Sequence, residues 1–516
     1  GVAASWIDSI PVLIISGQVK RSDMILEKRV RQMGPQEVDV VSLVKPITKY
    51  AVTVMDPDQI KYHLDKAVYL AKEGRPGPVW IDIPLDVQGA NIDEKKLKGF
   101  KAPLRKPLPK EIDRKFERLV KLINEAQRPV ILAGNGIRLA GGVENFKELV
   151  RKLGIPVLTT WKAIDFFPED DPLYVGRPGA IGQRGANFAQ QNADLIICVG
   201  ARLDTGQVAF NYKNFARAAK KVIVDVDEHE IRKIDAKVDL AFKIDAGLFL
   251  EGLERKVSMI HIDTENWLKK CQSWKVRYPV ILEEYKVKKG WVNTYALVDI
   301  LAGLLTSDDL IIPGSSGTCS EITLQAFRIK EGQRIFNSPG LGSMGFGIPA
   351  SIGACIASGK KRTVCLIGDG GFQHNIQELE LLRRYDLPIK LFVSNNNAYA
   401  SIRTTQNRFF NGHRVACDPA SGLTLPDTLK VAKAYGLRTF RIHTQKNLKE
   451  KVLEVLNFSG PAICEVMINP DLMIQPRVSN EVKPDGKIVS KPMEDLWPFL
   501  TREEFKENMA VSPCVD

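Results

Sequence analysis

Asp369 stands between two glycines, and 24 residues separate Gly370 from the pair Asn395-Asn396. A carboxylate oxygen and an amide oxygen brought together are hard ligands of the kind magnesium takes, usually alongside phosphate oxygens of a bound substrate or cofactor. Asp369 offers the first, Asn396 the second, and the backbone carbonyl of Ala398 a third. Gly368, Gly370 and Gly371 let the chain turn sharply and come close to a ligand. Gly-Asp-Gly alone is a common turn. With the paired asparagines at this spacing it reads as a diphosphate–metal site. His374, just past the glycines, is a candidate proton shuttle, although single histidines are more often structural.

These residues need elements to hold them. Thr363 to Ile367 is a short β-branched, apolar run ending in glycine, which predicts a buried strand. From Gln373 the apolar spacing turns helical through Ile376, Leu379, Leu381 and Leu382, and Ile389 to Val393 predicts a second buried strand. The polar residues then fall at the strands' carboxyl ends, where open α/β sheets bind ligands, with a diphosphate facing the N-terminus of the helix from Gln373.

That stretch is the signature of thiamine-diphosphate enzymes, and the chain around it resembles the large catalytic subunit of acetolactate synthase. Upstream, GLGSMGFGIPASIGA (Gly340 to Ala354) is similar to the segment that closes on the thiamine ring. The resemblance implies that Met344 is the wedge that bends the cofactor, with backbone groups of Gly342 and Met344 holding its pyrimidine. Read without the resemblance, the same stretch is a glycine-rich helix start with a core methionine. Gly317, Thr318 and Cys319 fall where the family grips the diphosphate, although the family has Gln-His there. From Asn395 the match runs without gaps through Arg408 and Phe409, and in all it covers nearly the whole chain. It implies thiamine diphosphate and Mg2+ as cofactors and a homodimer or homotetramer. FAD, a structural cofactor in the family's middle domain, stays open. Gly134, Gly136, Gly200, Arg202, Asp225, Asp227 and Asp245 fall at matching places, but glycines after strands are also ordinary turns, and GQRGAN (Gly182 to Asn187) and ARLDTG (Ala201 to Gly206) match only in part.

Composition agrees with a globular chain: 516 residues, 44% hydrophobic and 26% charged, enough for about three domains. No apolar run is long enough to span a membrane, and no secretory signal opens the chain, so a cytoplasmic protein is expected. The formal charge of +12 is dispersed, which argues against nucleic-acid binding while suiting small anionic substrates. Eight cysteines lie scattered without CxxC pairs, as buried free thiols would.

The expected fold is α/β, three doubly wound parallel-sheet domains: a partial pyrimidine-binding domain over 1–98, a central α/β domain over 113–275 and a diphosphate- and metal-binding domain over 290–470. A Lys/Pro-rich linker, GFKAPLRKPLPKEID, follows the first. Residues 471–516 read as a C-terminal tail, either over the active site or loose. An internal echo supports duplication: RPGPVWIDIPLD (75–86) and FSGPAICEVMINP (458–470) each put Gly-Pro and a buried strand after an amphipathic helix.

The first block is short for a full doubly wound domain, and Gly1 reads as starting inside it. The family's activating glutamate would lie upstream. Glu27 and Glu37 are too late in the domain to match it, so no catalytic acid is assigned. The pocket also departs from the family. Gly-Met-Val…Gln-Trp is here Ala400, Ser401, Ile402, Thr404 and Thr405, and Phe-Gln-Glu is Pro35, Gln36 and Glu37. With Gln36, Ile402 and Thr405 as pocket residues, the loss of two aromatic walls shifts preference toward a bulkier or more polar carbonyl acceptor, such as a keto sugar. The expected activity is decarboxylation of a 2-keto acid, pyruvate first, with transfer of the two-carbon unit to that acceptor. A simple 2-keto acid decarboxylase and a non-catalytic cofactor-binding homologue are the alternatives. An NAD dehydrogenase is disfavoured, because no Gly-x-Gly-x-x-Gly follows a first strand.

Overall fold

The computed structural model describes residues 1–26, 28–104, 111–287, 290–314, 317–482, 484–485 and 487–512. Glu27, part of the Lys/Pro-rich linker and the last four residues of the expected tail lie outside the described residues. The chain forms two compact units, Gly1–Lys110 and Glu111–Asp516.

Unit 1 is a three-stranded parallel sheet in the order β1-β3-β2, with β1 Leu13–Gln18, β2 Tyr50–Thr53 and β3 Val79–Pro84. Asp56 accepts from Asp58 N ahead of helix Ile60–Lys72, whose Ala67 and Ala71 pack on Val79 and Ile81. Gly-Pro then leads into β3, as the sequence echo requires.

Unit 2 holds two six-stranded parallel sheets. In the first, β4 (Pro129–Ala133), β5 (Val157–Thr159), β6 (Tyr174–Gly176), β7 (Leu195–Val199), β8 (Lys220–Asp225) and β9 (Leu240–Lys243) run in the order β6-β5-β4-β7-β8-β9. The order reverses direction between β4 and β7, the doubly wound arrangement that leaves a crevice at the switch point. In the second, β10 (Leu310–Pro313), β11 (Arg334–Ile335), β12 (Thr363–Gly368), β13 (Ile389–Asn395), β14 (Arg438–Ile442) and β15 (Ala462–Met467) run β11-β10-β12-β13-β15-β14. Its switch point lies between β10 and β12. The inner strands β4 and β7 are continuous apolar runs with every residue buried, as a parallel sheet covered on both faces requires.

Two expectations need correction. The helix anticipated from Gln373 is broken: Asp369–Phe372 is one short helical turn, Gln373–Glu378 is a 3-10 segment bent at Asn375, and the helix proper is Leu379–Arg384. Asn375 leaves helical geometry because its Nδ2 donates to Gly345 O at 3.0 Å. The described part of the C-terminal stretch is no loose tail. It straps back over helix Arg184–Asn192, where Arg184 donates to Leu496 O (3.1 Å), Asn187 to Met493 O (2.6 Å) and Asn192 to Asn508 O (2.8 Å). Leu496 is completely buried there, beside Met493, Val478 and Ala209.

Candidate functional site

A cleft of about 800 Å3, counted with its open mouth, lies at the switch point of the second sheet. Three strand ends build it. Past β10 come Gly314, Gly317, Thr318 and Cys319; from the end of β12, Gly368 to Gly371; from the end of β13, Ser394, then Asn396 and Ala398 to Ile402. Met344 to Gly347 close one side.

Asp369 is the polar centre, 6% exposed. Its Oδ1 accepts from Gly370 N (2.8 Å) and its Oδ2 from Asn397 N (2.7 Å) and Asn396 N (3.2 Å). Burial pushes its pKa up to about 6, with those three N–H groups pulling the other way. The two asparagines divide the work. Asn395 turns away from the cleft and donates to Glu465 Oε1 (2.8 Å), a carboxylate that Arg441 holds from its other oxygen (2.5 Å). That pin fixes the end of β13. Asn396 lines the cleft, its Oδ1 accepting from Ala398 N at 3.1 Å. Asn397 adopts φ 51°, a left-handed conformation that asparagine tolerates, and this sends the chain back across the cleft.

The donor set at this point is one carboxylate, one amide oxygen and backbone carbonyls, which fits a hard cation sharing its coordination with a diphosphate. Among the described residues no group of three or more His, Cys, Asp or Glu could hold a metal instead. Helix Thr318–Ala326 opens on the same cleft with Gly317 at φ 84° and no side chain among the described residues capping it, so its N-terminus suits an anion. This helix, rather than one from Gln373, supplies the positive dipole end. Cys319 lines the cleft, but its thiol is buried and pushed up to about 12 by desolvation, so it acts as packing.

Met344 is 41% exposed and lines the cleft, which removes the core-methionine reading. Gly342 sits two residues before it on a turn at φ 66°. Ile402 reaches the cleft from helix Ala400–Phe409, whereas Thr405 is exposed, off the lining, and bonded through Oγ1 to Ser401 O (3.0 Å). His374 is exposed and outside the lining. Gln36 belongs to unit 1, at φ 69°. Its neighbour Glu37 is buried, its carboxylate accepting from Ile25 N and from Met33 N (2.7 Å), which makes it a loop clasp.

The residues considered for a flavin separate into two groups. Gly134, Gly136 and Gly200 meet at the switch point of the first sheet, where a Cβ on Gly134 would lie 2.1 Å from Gly200 O. Arg202 and Asp225 line a small cavity of about 200 Å3 beside them. Asp227 and Asp245, however, cap helices Glu228–Arg232 and Ala246–Glu254, while Arg184 and Asn187 hold the C-terminal strap.

Sequence reasoning missed Tyr399 and Ser394. The Tyr399 ring packs over Gly370, with its hydroxyl accepting from Gln373 Nε2 at 3.0 Å. Its signal was an aromatic residue three places past Asn396.

Two family models match the chain: the thiamine pyrophosphate enzyme C-terminal TPP binding domain over residues 315–466, and the thiamine pyrophosphate enzyme central domain over residues 116–253. The acetolactate synthase large subunit of Cyanidium caldarium is 32% identical over 495 residues, 93% of this chain and 82% of that protein. The acetolactate synthase large subunit of Lactococcus lactis is 31% identical over 491 residues, 95% of this chain and 82% of that protein.

Proposed function

The chain belongs to the thiamine-diphosphate enzymes, in the family of the acetolactate synthase large subunits, and from that premise we propose that it decarboxylates a 2-keto acid, pyruvate first, and passes the two-carbon unit to a carbonyl acceptor. The observation that carries this reading is the buried Asp369 carboxylate, oriented by three backbone N–H groups beside Asn396 at a switch-point cleft. Asp369, Asn396 and the Ala398 carbonyl would hold Mg2+. The uncapped end of helix Thr318–Ala326 would take the diphosphate. Bound there, thiamine diphosphate supplies the carbon nucleophile and electron sink that such a decarboxylation requires. The chain's own residues orient and enclose: Met344 and Ile402 give the cleft apolar walls, and Tyr399 narrows it over Gly370.

Ser401 and Ile402 on the lining, in place of the family's larger Met-Val pair, support an acceptor more polar than an ordinary 2-keto acid, such as a keto sugar. A flavin is a second proposed ligand, favoured by the glycines at the β4/β7 switch point. Visible flavin absorption of the purified protein tests it. We also propose a homodimer or homotetramer, to be read by light scattering. No helix among the described residues is long and apolar enough to cross a membrane.

The deciding experiment is magnesium-dependent thiamine-diphosphate binding by calorimetry, wild type against Asp369→Ala. Binding that disappears with Asp369 supports the site. Equal binding by both proteins would remove Asp369 from it.

A further inference from the structure

Ser394 is the next-to-last polar residue of β13 before the metal-ligand asparagine, and only 3% exposed. The strand before it is Ile389, Leu391, Phe392 and Val393, with Lys390 the one other polar side chain. Lys390 has partners, donating to the carbonyls of Phe458 and Gly460. The Ser394 hydroxyl has none among the described residues: its Oγ is buried and makes no hydrogen bond with them. Its ladder neighbours are Gly368 on β12 and Val466 on β15, neither of which has a polar side chain to offer. Leaving a buried hydroxyl unsatisfied is destabilising, and an apolar residue of similar size would remove that cost. Ser394 also lines the cleft, directly across the ladder from the residue preceding Asp369.

We propose that Ser394 is a positioning residue for the diphosphate, its Oγ–H donating to an anionic oxygen of the metal-bound diphosphate group. This rests on the cofactor reading above and adds a residue to it. A hydroxyl with one donor and no protein partner, one residue from the glycine–aspartate turn and walled by apolar strand, is suited to one strong acceptor entering from the cleft. The fold gives no reason for serine there. The ligand does.

The test pairs affinity with stability in Ser394→Ala. Calorimetry with Mg2+ and thiamine diphosphate, and separately with Mg2+ and inorganic pyrophosphate, should show both ligands weakened by the same factor, about ten-fold or more. The melting temperature of the cofactor-free protein should stay the same or rise, since the variant removes an unsatisfied group. A purely structural serine would behave oppositely, lowering the melting temperature and leaving affinity alone, and that result would overturn the proposal. Weakening of thiamine diphosphate without weakening of pyrophosphate would also overturn it, because the contact would then lie on the thiamine end. If the wild type binds neither ligand, the cofactor site itself fails and this role with it. If the wild type binds and Ser394→Ala binds equally well, only this role fails.

Discussion

The Asp369 carboxyl answers differently to acid in folding and in binding. Its pKa of about 6 means the folded chain holds the proton more tightly than the unfolded chain does. Stability of the cofactor-free protein should therefore fall as pH rises from about 4 to about 6, by about 3 kcal/mol from this group alone. A metal needs the deprotonated carboxylate, so magnesium-dependent cofactor affinity should be level above about pH 6 and fall about ten-fold per pH unit below it. Denaturant unfolding and calorimetry across that range check both, and Asp369→Asn should flatten both profiles. A Cβ at Gly134 meets Gly200 O at 2.1 Å and Ala201 Cα at 2.2 Å, backbone atoms that no side-chain rotation can clear. Gly134→Ala should cost about 3 kcal/mol in urea unfolding. Gly353, with nothing within 4 Å of its Cβ and a place inside helix Gly347–Ala357, is the control. Gly353→Ala should stabilise by about 0.5–1 kcal/mol.

At the scale of elements, helix Ala400–Phe409 carries Ser401 and Ile402 to the cleft yet buries none of its residues. Its side-chain ties are all partly or fully exposed: Arg403 to Pro470 O and Asp471, Arg408 to Asn480 O, Gln406 to the Val415 backbone and Asn407 to Arg414. An element held by so little buried surface opens cheaply. Its amides should exchange with deuterium faster than those of β12 and β13 and slow when thiamine diphosphate and Mg2+ are added. No change on addition would detach the helix from the site. The strands on either side show why sequence reads some elements well. Residues 364–367 and 391–393 are apolar runs because both faces of a parallel sheet are covered, so the pattern alone bounds Thr363–Gly368 and Ile389–Asn395 to within two residues. The segment between them defied its pattern. Ile376, Leu379 and Leu382 have helical spacing, but Asn375 bonds to Gly345 and bends the chain, a contact across 30 residues that no local period contains. The C-terminal strap was illegible for the same reason: Asn187 and Met493 are 306 residues apart. Asp369 and Asn396 were legible as a candidate pair because strand ends meet at a switch point, and both line the cleft there. The orphaned Ser394 was not, since its meaning lies in the partner that the strand withholds.

The two units differ most in how much apolar surface each buries. The core of unit 1 is Val54, Ala67, Ala71, Val79, Ile81 and Val87 around three strands, two of them alanines with little side chain to bury. Leu43, Leu85 and Ile15 stay 55–67% exposed in the same unit. Unit 2 has Phe327, Phe392, Tyr295 and many aliphatic residues in one cluster, and Phe188, Phe215, Trp267 and Trp274 in another. Burial of apolar area contributes about 25 cal/mol per Å2, so a core this small leaves unit 1 near the margin that folding entropy sets. Scanning calorimetry should resolve a lower-temperature transition that belongs to unit 1. Trp6 and Trp80 are its two tryptophans, so Trp6→Phe/Trp80→Phe should remove the early fluorescence change and leave the later one. Cofactor titration should separate the two transitions further if the diphosphate site lies wholly in unit 2, because a ligand stabilises only the unit that binds it. If instead the early transition rises with the late one, the cofactor's stabilisation is not confined to unit 2. A single transition at every cofactor concentration would contradict independent cores altogether.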